Sequence, residues 1–164
     1  MPDRIQFQSP IGMVTVLVCR DAVSAVQISI NTGKPHPAMT TNPVLCACRQ
    51  QMGEYFAGQR KAFDLPLDWQ SIRGFQREAL LELLKTPYGE VRTYGEISRA
   101  LGKPAAARAV GMALAKNPLP ILIPCHRVVA ASGHLTGFSA GDGLNSKAWL
   151  LQLEGHRVVT EKLA

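Results

Sequence analysis

A cysteine, a histidine and a glutamate hold the chemistry open to this sequence. Cys125 and His126 are adjacent and follow Pro124, at the end of the apolar run Ile121, Leu122, Ile123. The thiolate is the reactive form of cysteine, and a neighbouring base raises its fraction near neutrality. The pair therefore suits a nucleophile with its proton acceptor. The run is short enough for a buried strand that the proline would end. Neighbours on a strand point to opposite faces, so direct thiol–imidazole contact is not guaranteed and a water would have to relay the proton. Cysteine is also among the most buried residue types, so residue type alone leaves a structural thiol open. Glu154 falls in the last turn of an expected helix, where negative charge opposes the helix dipole. That misplacement points to a compensating partner, or else to a solvated carboxylate.

The elements that must position these residues show in the patterning. Apolar runs at 5–7, 13–18 and 26–30, with Ser9, Pro10, Ile11 and Gly12 as a turn, predict a small antiparallel sheet. Residues 31–43 are a loop by composition, with His36 solvated between prolines. Asn42 and Pro43 predict the start of a helix to Phe56, with Gly58 past its end. Val44, Cys48, Met52 and Tyr55 share one face of it, and Met52 reads as core filler. Phe63, Leu65 and Leu67 alternate as a proline-limited edge strand. A boundary at 68–74 would separate a sheet-and-helix subdomain (1–68) from a helical one (75–156).

In that second part Phe75, Ala79, Leu80, Leu83 and Leu84 line a helix ended by Pro87. Thr93 and Glu96 suit a capping box for a short helix to Leu101. Gly102 and Lys103 turn, and Pro104 opens a second helix to about Lys116; the two read as a helix-turn-helix. The second helix is mostly alanine and glycine, with Arg108 projecting. Such small side chains suit tight helix packing, or close approach to a nucleic-acid backbone. Residues 133–143 are a glycine-rich loop with no Lys-Ser/Thr after it, which excludes a P-loop. Asn145 or Ser146 would cap a last helix, 147–154, ended by Gly155. The expected fold class is α+β: a small N-terminal antiparallel sheet with a helix, then a helical domain with a helix-turn-helix and the cysteine.

With 164 residues, 46% hydrophobic and 18% charged, the chain can bury one sizeable core or two small ones. No apolar run reaches membrane-span length, and the stretch from Met1 to Ile5 lacks an apolar signal core, so a cytosolic protein is expected. The cysteines at 19, 46, 48 and 125 form no Cys-x-x-Cys pair, which predicts neither a disulfide framework nor a zinc site. The net charge of +6 is uneven: residues 85–164 carry 10 Lys/Arg against 5 Asp/Glu, residues 1–84 carry 8 against 7. A polyanionic partner, most simply nucleic acid, and a merely basic surface remain equally open on charge alone.

The string Pro124-Cys125-His126-Arg127-Val128 resembles the active-site motif of the O6-alkylguanine-DNA alkyltransferases, or methylated-DNA–protein-cysteine methyltransferases. The likeness extends through Pro87-Tyr88-Gly89-Glu90, Tyr94-Gly95-Glu96, Ala107-Arg108-Ala109-Val110-Gly111, Asn117-Pro118 and Glu154. It reaches back more faintly through Tyr55-Phe56-Ala57-Gly58 to Ser9-Pro10-Ile11-Gly12. The resemblance implies repair of double-stranded DNA by direct reversal. The damaged nucleotide leaves the stack, and Cys125 takes the alkyl group from O6 of guanine, once per molecule.

It implies catalytic roles for Cys125, His126, Glu154, Tyr94 and Asn117. Glu154 would orient His126 in a Glu-His-water-Cys relay, Tyr94 would donate to the base, and Asn117 would tie the recognition helix to the active-site segment. It implies substrate contacts from Val128, Phe138, Ser139, Leu114 and Lys147. Minor-groove contacts would come from Arg108, Tyr94, Thr93, Ala107 and Gly111, with Arg108 filling the place of the extruded nucleotide. It implies no cofactor and no metal, and a monomer, with cooperative assembly on DNA left open. Two departures stand out: Phe138 replaces the usual tyrosine, and Asp142-Gly143 is an apparent insertion. Three rivals fit less well. Alkyltransferase-like proteins that bind the lesion without repairing it lack the thiol, a helix-turn-helix regulator leaves Cys125 and His126 unexplained, and a Cys-His hydrolase needs no Arg108 helix.

Overall fold

The computed structural model describes residues 3–30, 33–36 and 39–164. Met1 and Pro2, and Asn31, Thr32, Pro37 and Ala38 of the expected loop, lie outside the described residues. Strands β1 (Asp3–Ser9), β2 (Gly12–Cys19) and β3 (Ala22–Ser29) form an antiparallel sheet in the order β1-β2-β3. One face buries Ile5, Phe7, Val14, Val16, Val18, Val23, Val26 and Ile28, as alternation requires of a sheet covered on one side. Leu17 pairs with Ala25 but Val18 with Val23, so Ser24 is an extra residue that lets both Val23 and Val26 face the core. The β1–β2 turn needs glycine: Gly12 has φ +125°, and a Cβ there would lie 2.3 Å from the Ser29 carbonyl oxygen.

Helix α1 (Pro43–Phe56) starts where the Asn42 side chain accepts from the Val44 and Leu45 amides. Leu45, Cys48, Met52 and Tyr55 are its buried residues, and it packs on the sheet. Val44 is only half-buried, and Leu45 takes its place on the covered face. The second half contains α2 (Gly74–Leu83), β4 (Arg92–Thr93), α3 (Tyr94–Ala100), α4 (Ala107–Ala115), a single 3-10 turn (Cys125–Arg127), β5 (Val128–Val129) and α5 (Leu144–Leu153). The capping box is present: Thr93 Oγ1 accepts from the Glu96 amide at 3.1 Å, and Glu96 Oε2 from the Thr93 amide at 2.7 Å. Helices α3 and α4 pack on each other and on α2, and β4 pairs in parallel with β5. A single buried cluster joins Val26 of the sheet and Tyr55 of α1 to Val110 of α4 and Leu150 of α5.

Several elements differ from expectation. The run at 121–123 is buried but is not a strand, because Ile121 sits at φ +72° and the Ile123 amide folds back onto the Leu119 carbonyl at 2.8 Å. Pro120 and Pro124 offer no ladder donors on either side of it. Residues 63–67 form no strand; Leu67 makes only an isolated bridge to Val23. Helix α4 starts at Ala107 rather than Pro104. Helix α5 starts at Leu144, ahead of both expected caps, and the Ser146 hydroxyl instead accepts from the Asp142 amide at 2.8 Å. A hairpin of β6 (Val158–Val159) and β7 (Lys162–Leu163) closes the chain. Its turn residues, Thr160 and Glu161, hold φ of +49° and +58° without glycine or asparagine, so the sequence carries no turn signal there. Among the described residues, no helix is long and apolar enough to cross a membrane.

Gly12→Ala is expected to lower the unfolding free energy by about 1–3 kcal/mol through strain and the clash with Ser29. Gly53→Ala, exposed in α1 with nothing within 4 Å, is expected to raise it by about 0.5–1 kcal/mol. Urea unfolding of the two variants measures both signs.

Candidate active site

Cys125 is placed by a sharp bend. Pro124 has φ −82° and ψ 65°, an inverse γ-turn in which the Cys125 amide donates to the Ile123 carbonyl at 2.8 Å. The Arg127 amide then donates to Pro124 and the Val128 amide to Cys125, closing the 3-10 turn. The turn leaves Cys125 half-buried while His126 and Arg127 are buried. Asn117 braces the approach: its Nδ2 donates to the Ile123 carbonyl at 2.9 Å, and its Oδ1 accepts from the Leu119 amide at 2.9 Å.

Behind the thiol lies a buried charge network. His126 Nε2 is 2.9 Å from Glu154 Oε2, with the Tyr55 hydroxyl farther away at 3.4 Å. Arg127 grips the same carboxylate through Nε (2.9 Å to Oε1) and Nη2, and its Nη1 donates to the Thr86 carbonyl at 2.8 Å. Burial pushes the Glu154 carboxyl up, but the His126 and Arg127 hydrogen bonds and charges outweigh it and hold the group below its ordinary range. Burial lowers His126 despite the opposing Glu154. An ionised carboxylate facing a neutral imidazole assigns the proton to Nε2 and the lone pair to Nδ1. Nδ1 is buried and has no hydrogen-bond partner among the described residues. Burial raises the Cys125 thiol, while the Asn117 amide and the Lys147 charge pull it down. Net elevation means a protonated thiol near neutrality, so attack by sulfur requires a base.

The thiol opens on a cavity of about 250 Å³ whose wall includes Leu114, Asn117, Phe138 and Ser139, along with residues of β3. Two side chains clasp the loop that carries Phe138. Lys147, almost fully buried, donates from Nζ to the carbonyls of Val128 and Thr136, the latter at 2.7 Å. Burial lowers its pKa to about 8, against a pull from Cys125. The Tyr94 hydroxyl lies 3.1 Å from Thr136 Oγ1 and 3.2 Å from its carbonyl. Gly137 passes so close that a Cβ would come 3.1 Å from that hydroxyl. Among the described residues, no group of three His, Cys, Asp or Glu side chains could hold a metal ion.

Comparisons with known proteins identify the family. Residues 6–69 match the family described as 6-O-methylguanine DNA methyltransferase, ribonuclease-like domain. Residues 74–161 match its DNA binding domain. The chain belongs to this family. A methylated-DNA–protein-cysteine methyltransferase of Mycolicibacterium paratuberculosis is 44% identical over 150 residues, 89% of this chain and 88% of the relative. The constitutive one of Bacillus subtilis is 48% identical over 112 residues, 68% of this chain and 67% of the relative. The crystal structure of the Mycobacterium tuberculosis O6-methylguanine methyltransferase has a TM-score of 0.79 at 38% identity, covering 98% of this chain and 96% of that one. Mycobacterium tuberculosis OGT in complex with DNA has 0.76 at 41%, covering 91% and 90%.

Within this methyltransferase chain the expected residues fall into two groups. Cys125, Asn117, Leu114, Phe138 and Ser139 meet at the cavity, with His126 and Glu154 behind the thiol. Arg108 is exposed near the start of α4, and Ala107 is half-buried before it. Gly111 lies one turn on under the Tyr94 ring, where a Cβ would come 3.7 Å from the ring carbons. Thr93 caps α3 beside Tyr94. Val128 and Lys147, expected to bind substrate, do not line the cavity: their mutual hydrogen bond places them behind the loop as a brace. Sequence patterning carries no sign of the contacts made by Arg127, Tyr55, Thr86 and Thr136. Their partners lie far off in sequence, as with Arg127 and Thr86, 41 residues apart, and no local pattern announces such contacts.

The network makes stability depend on pH. Unfolded glutamate titrates near about 4.3 and histidine near about 6.5. Glu154 is held below its unfolded value, so its contribution is complete above that value and lost as pH falls through the native one. His126 is also lowered, so the unfolded state binds its proton first and stability declines as pH drops below the histidine value. The stability gap between wild type and Glu154→Gln should be widest near neutrality and narrow on acidification below the carboxylate range. Urea unfolding across that range tests it; a gap independent of pH would contradict the ionised carboxylate.

Proposed function

We propose that this chain repairs DNA by direct reversal, transferring the alkyl group from O6 of guanine irreversibly to Cys125, one turnover per molecule. The observation that carries the reading is the half-buried thiol on a base-sized cavity, backed by an imidazole whose Nδ1 is free to accept a proton. Family membership supports it, as does the M. tuberculosis relative in complex with DNA.

The chain's own residues account for each step. The flipped guanine enters between Leu114, Phe138 and Ser139. Sulfur attacks the alkyl carbon in line; the S–C bond forms as the C–O6 bond breaks. The thiol proton passes through a water to His126 Nδ1, and Glu154, paired with Arg127, stabilises the resulting imidazolium. The nearby Lys147 charge favours the thiolate. Guanine leaves as its anion, assisted by hydrogen bonds that include Tyr94 by family likeness, and takes up the proton. A thioether offers water no carbonyl to attack, so the cysteine is not regenerated. The protein acts as a monomer on the minor groove of double-stranded DNA. The basic second half supplies phosphate contacts, and Arg108 projects from α4 into the gap in the stack.

Incubation with duplex DNA bearing O6-methylguanine should add one methyl mass, located on the peptide containing Cys125. Cys125→Ala should lose transfer completely and still bind duplex DNA. More than one turnover per protein would refute the suicide mechanism. Arg108→Ala should slow repair of duplex DNA by about tenfold or more while changing reaction with free O6-methylguanine little, because only the duplex has a stack to fill. Equal loss on both substrates would assign Arg108 to the pocket or the fold instead.

A further inference from the structure

The alkyl-acceptor cavity takes part of its wall from the N-terminal sheet. Val26, Gln27 and Ile28 of β3 line it together with Cys125 and Phe138. Two backbone bonds fix the strand there. The Val26 amide donates to the Pro118 carbonyl at 2.9 Å, and the Gly141 amide donates to the Ile28 carbonyl at 3.0 Å. Pro118 belongs to the segment that leads to the thiol, and Gly141 to the loop that carries Phe138 and Ser139. Both bonds use the free edge of β3, whose other edge pairs with β2. Gln27 sits between the two anchors. Val26 and Ile28 point into the core, so strand alternation sends the Gln27 side chain to the opposite face. Gln27 is exposed, and its carboxamide makes no hydrogen bond among the described residues, so its side chain meets the cavity as bulk alone.

The space is small. Pockets for drug-sized ligands run about 300–1,000 Å³, and this one, at about 250 Å³, suits a single base with a small substituent. Each side chain on its wall therefore counts against anything larger. We propose that Gln27 is a size-determining residue of the site: its bulk restricts the O6 substituents that reach Cys125 to small ones. The N-terminal sheet then sets the substrate range for chemistry carried out by the other half. The inference rests on the alkyl-transfer reading above.

The test compares single-turnover transfer from O6-methylguanine and from O6-benzylguanine, each in the same duplex, for the full-length wild type, Gln27→Ala, Gln27→Thr and Gln27→Leu. Trimming to Ala or Thr should raise the benzyl-to-methyl rate ratio by about tenfold, the lower end of what a change in pocket bulk is worth. Thr keeps high strand propensity, so a folding defect in Ala alone leaves the test intact. Leu, close to Gln in volume but without the amide, should keep the wild-type ratio. An unmoved ratio in folded Ala and Thr variants overturns the proposal. A Leu variant that shifts as far as Ala also overturns it, because the amide rather than the bulk would then be selecting. Failure of wild type to transfer methyl to Cys125 would sink the alkyl-transfer reading itself; transfer with unmoved ratios would sink only the role of Gln27.

Discussion

The buried carboxylate of Glu154 is the constraint on which the site depends. It lies just past the last turn of α5, where the helix dipole disfavours negative charge, and it is shielded from water. Such a group persists only with full pairing, and removing one partner of a buried pair typically costs about 3–5 kcal/mol. Arg127 and His126 supply that pairing from consecutive positions of one 3-10 turn. The same contact that satisfies the carboxylate therefore fixes the turn and the imidazole tautomer, and turns Cys125 toward the cavity. Structure and chemistry share one ion cluster.

The cavity is made precise by braces rather than by the residues that face it. Asn117 holds the folded-back approach to the thiol from both ends of a turn. Thr136 receives both Lys147 and Tyr94, which ties the glycine-rich loop to α5 and to α3 at once. The loop can then carry Phe138 over the pocket although its backbone includes glycines at positive φ. Lys147 makes this brace while buried, with no carboxylate partner among the described residues, and its charge is left to act on the thiol. Phe138 keeps an apolar wall in the cavity that Cys125 also lines, where a tyrosine would have added a hydroxyl.

The two halves also meet at the chemistry. Edge strand β3 bonds to Pro118 on one side of the site and Gly141 on the other. An unpaired sheet edge is thereby covered, which removes an aggregation hazard, and a wall of the pocket is gained from the same bonds.

Local physics was legible in the residues themselves. Asn42 as a cap, the Thr93–Glu96 box, the alternating strands and the buried face of α1 rest on contacts within a few residues, so pattern alone could place them. The Pro124-Cys125-His126-Arg127-Val128 string pointed to the family, and the awkward charge of Glu154 pointed to a missing partner. Tertiary structure decided the rest. An apolar run at 121–123 reads as a strand until two prolines and a positive φ at Ile121 turn it back on itself. Apolar periodicity reports burial and not the backbone path, so no local rule could separate the two. Arg127 as the keeper of Glu154, Thr136 as the acceptor for Tyr94, and β3 as a pocket wall each join segments tens of residues apart. Such pairings are set by how the elements pack, and that is energy of the whole chain rather than of any stretch of it.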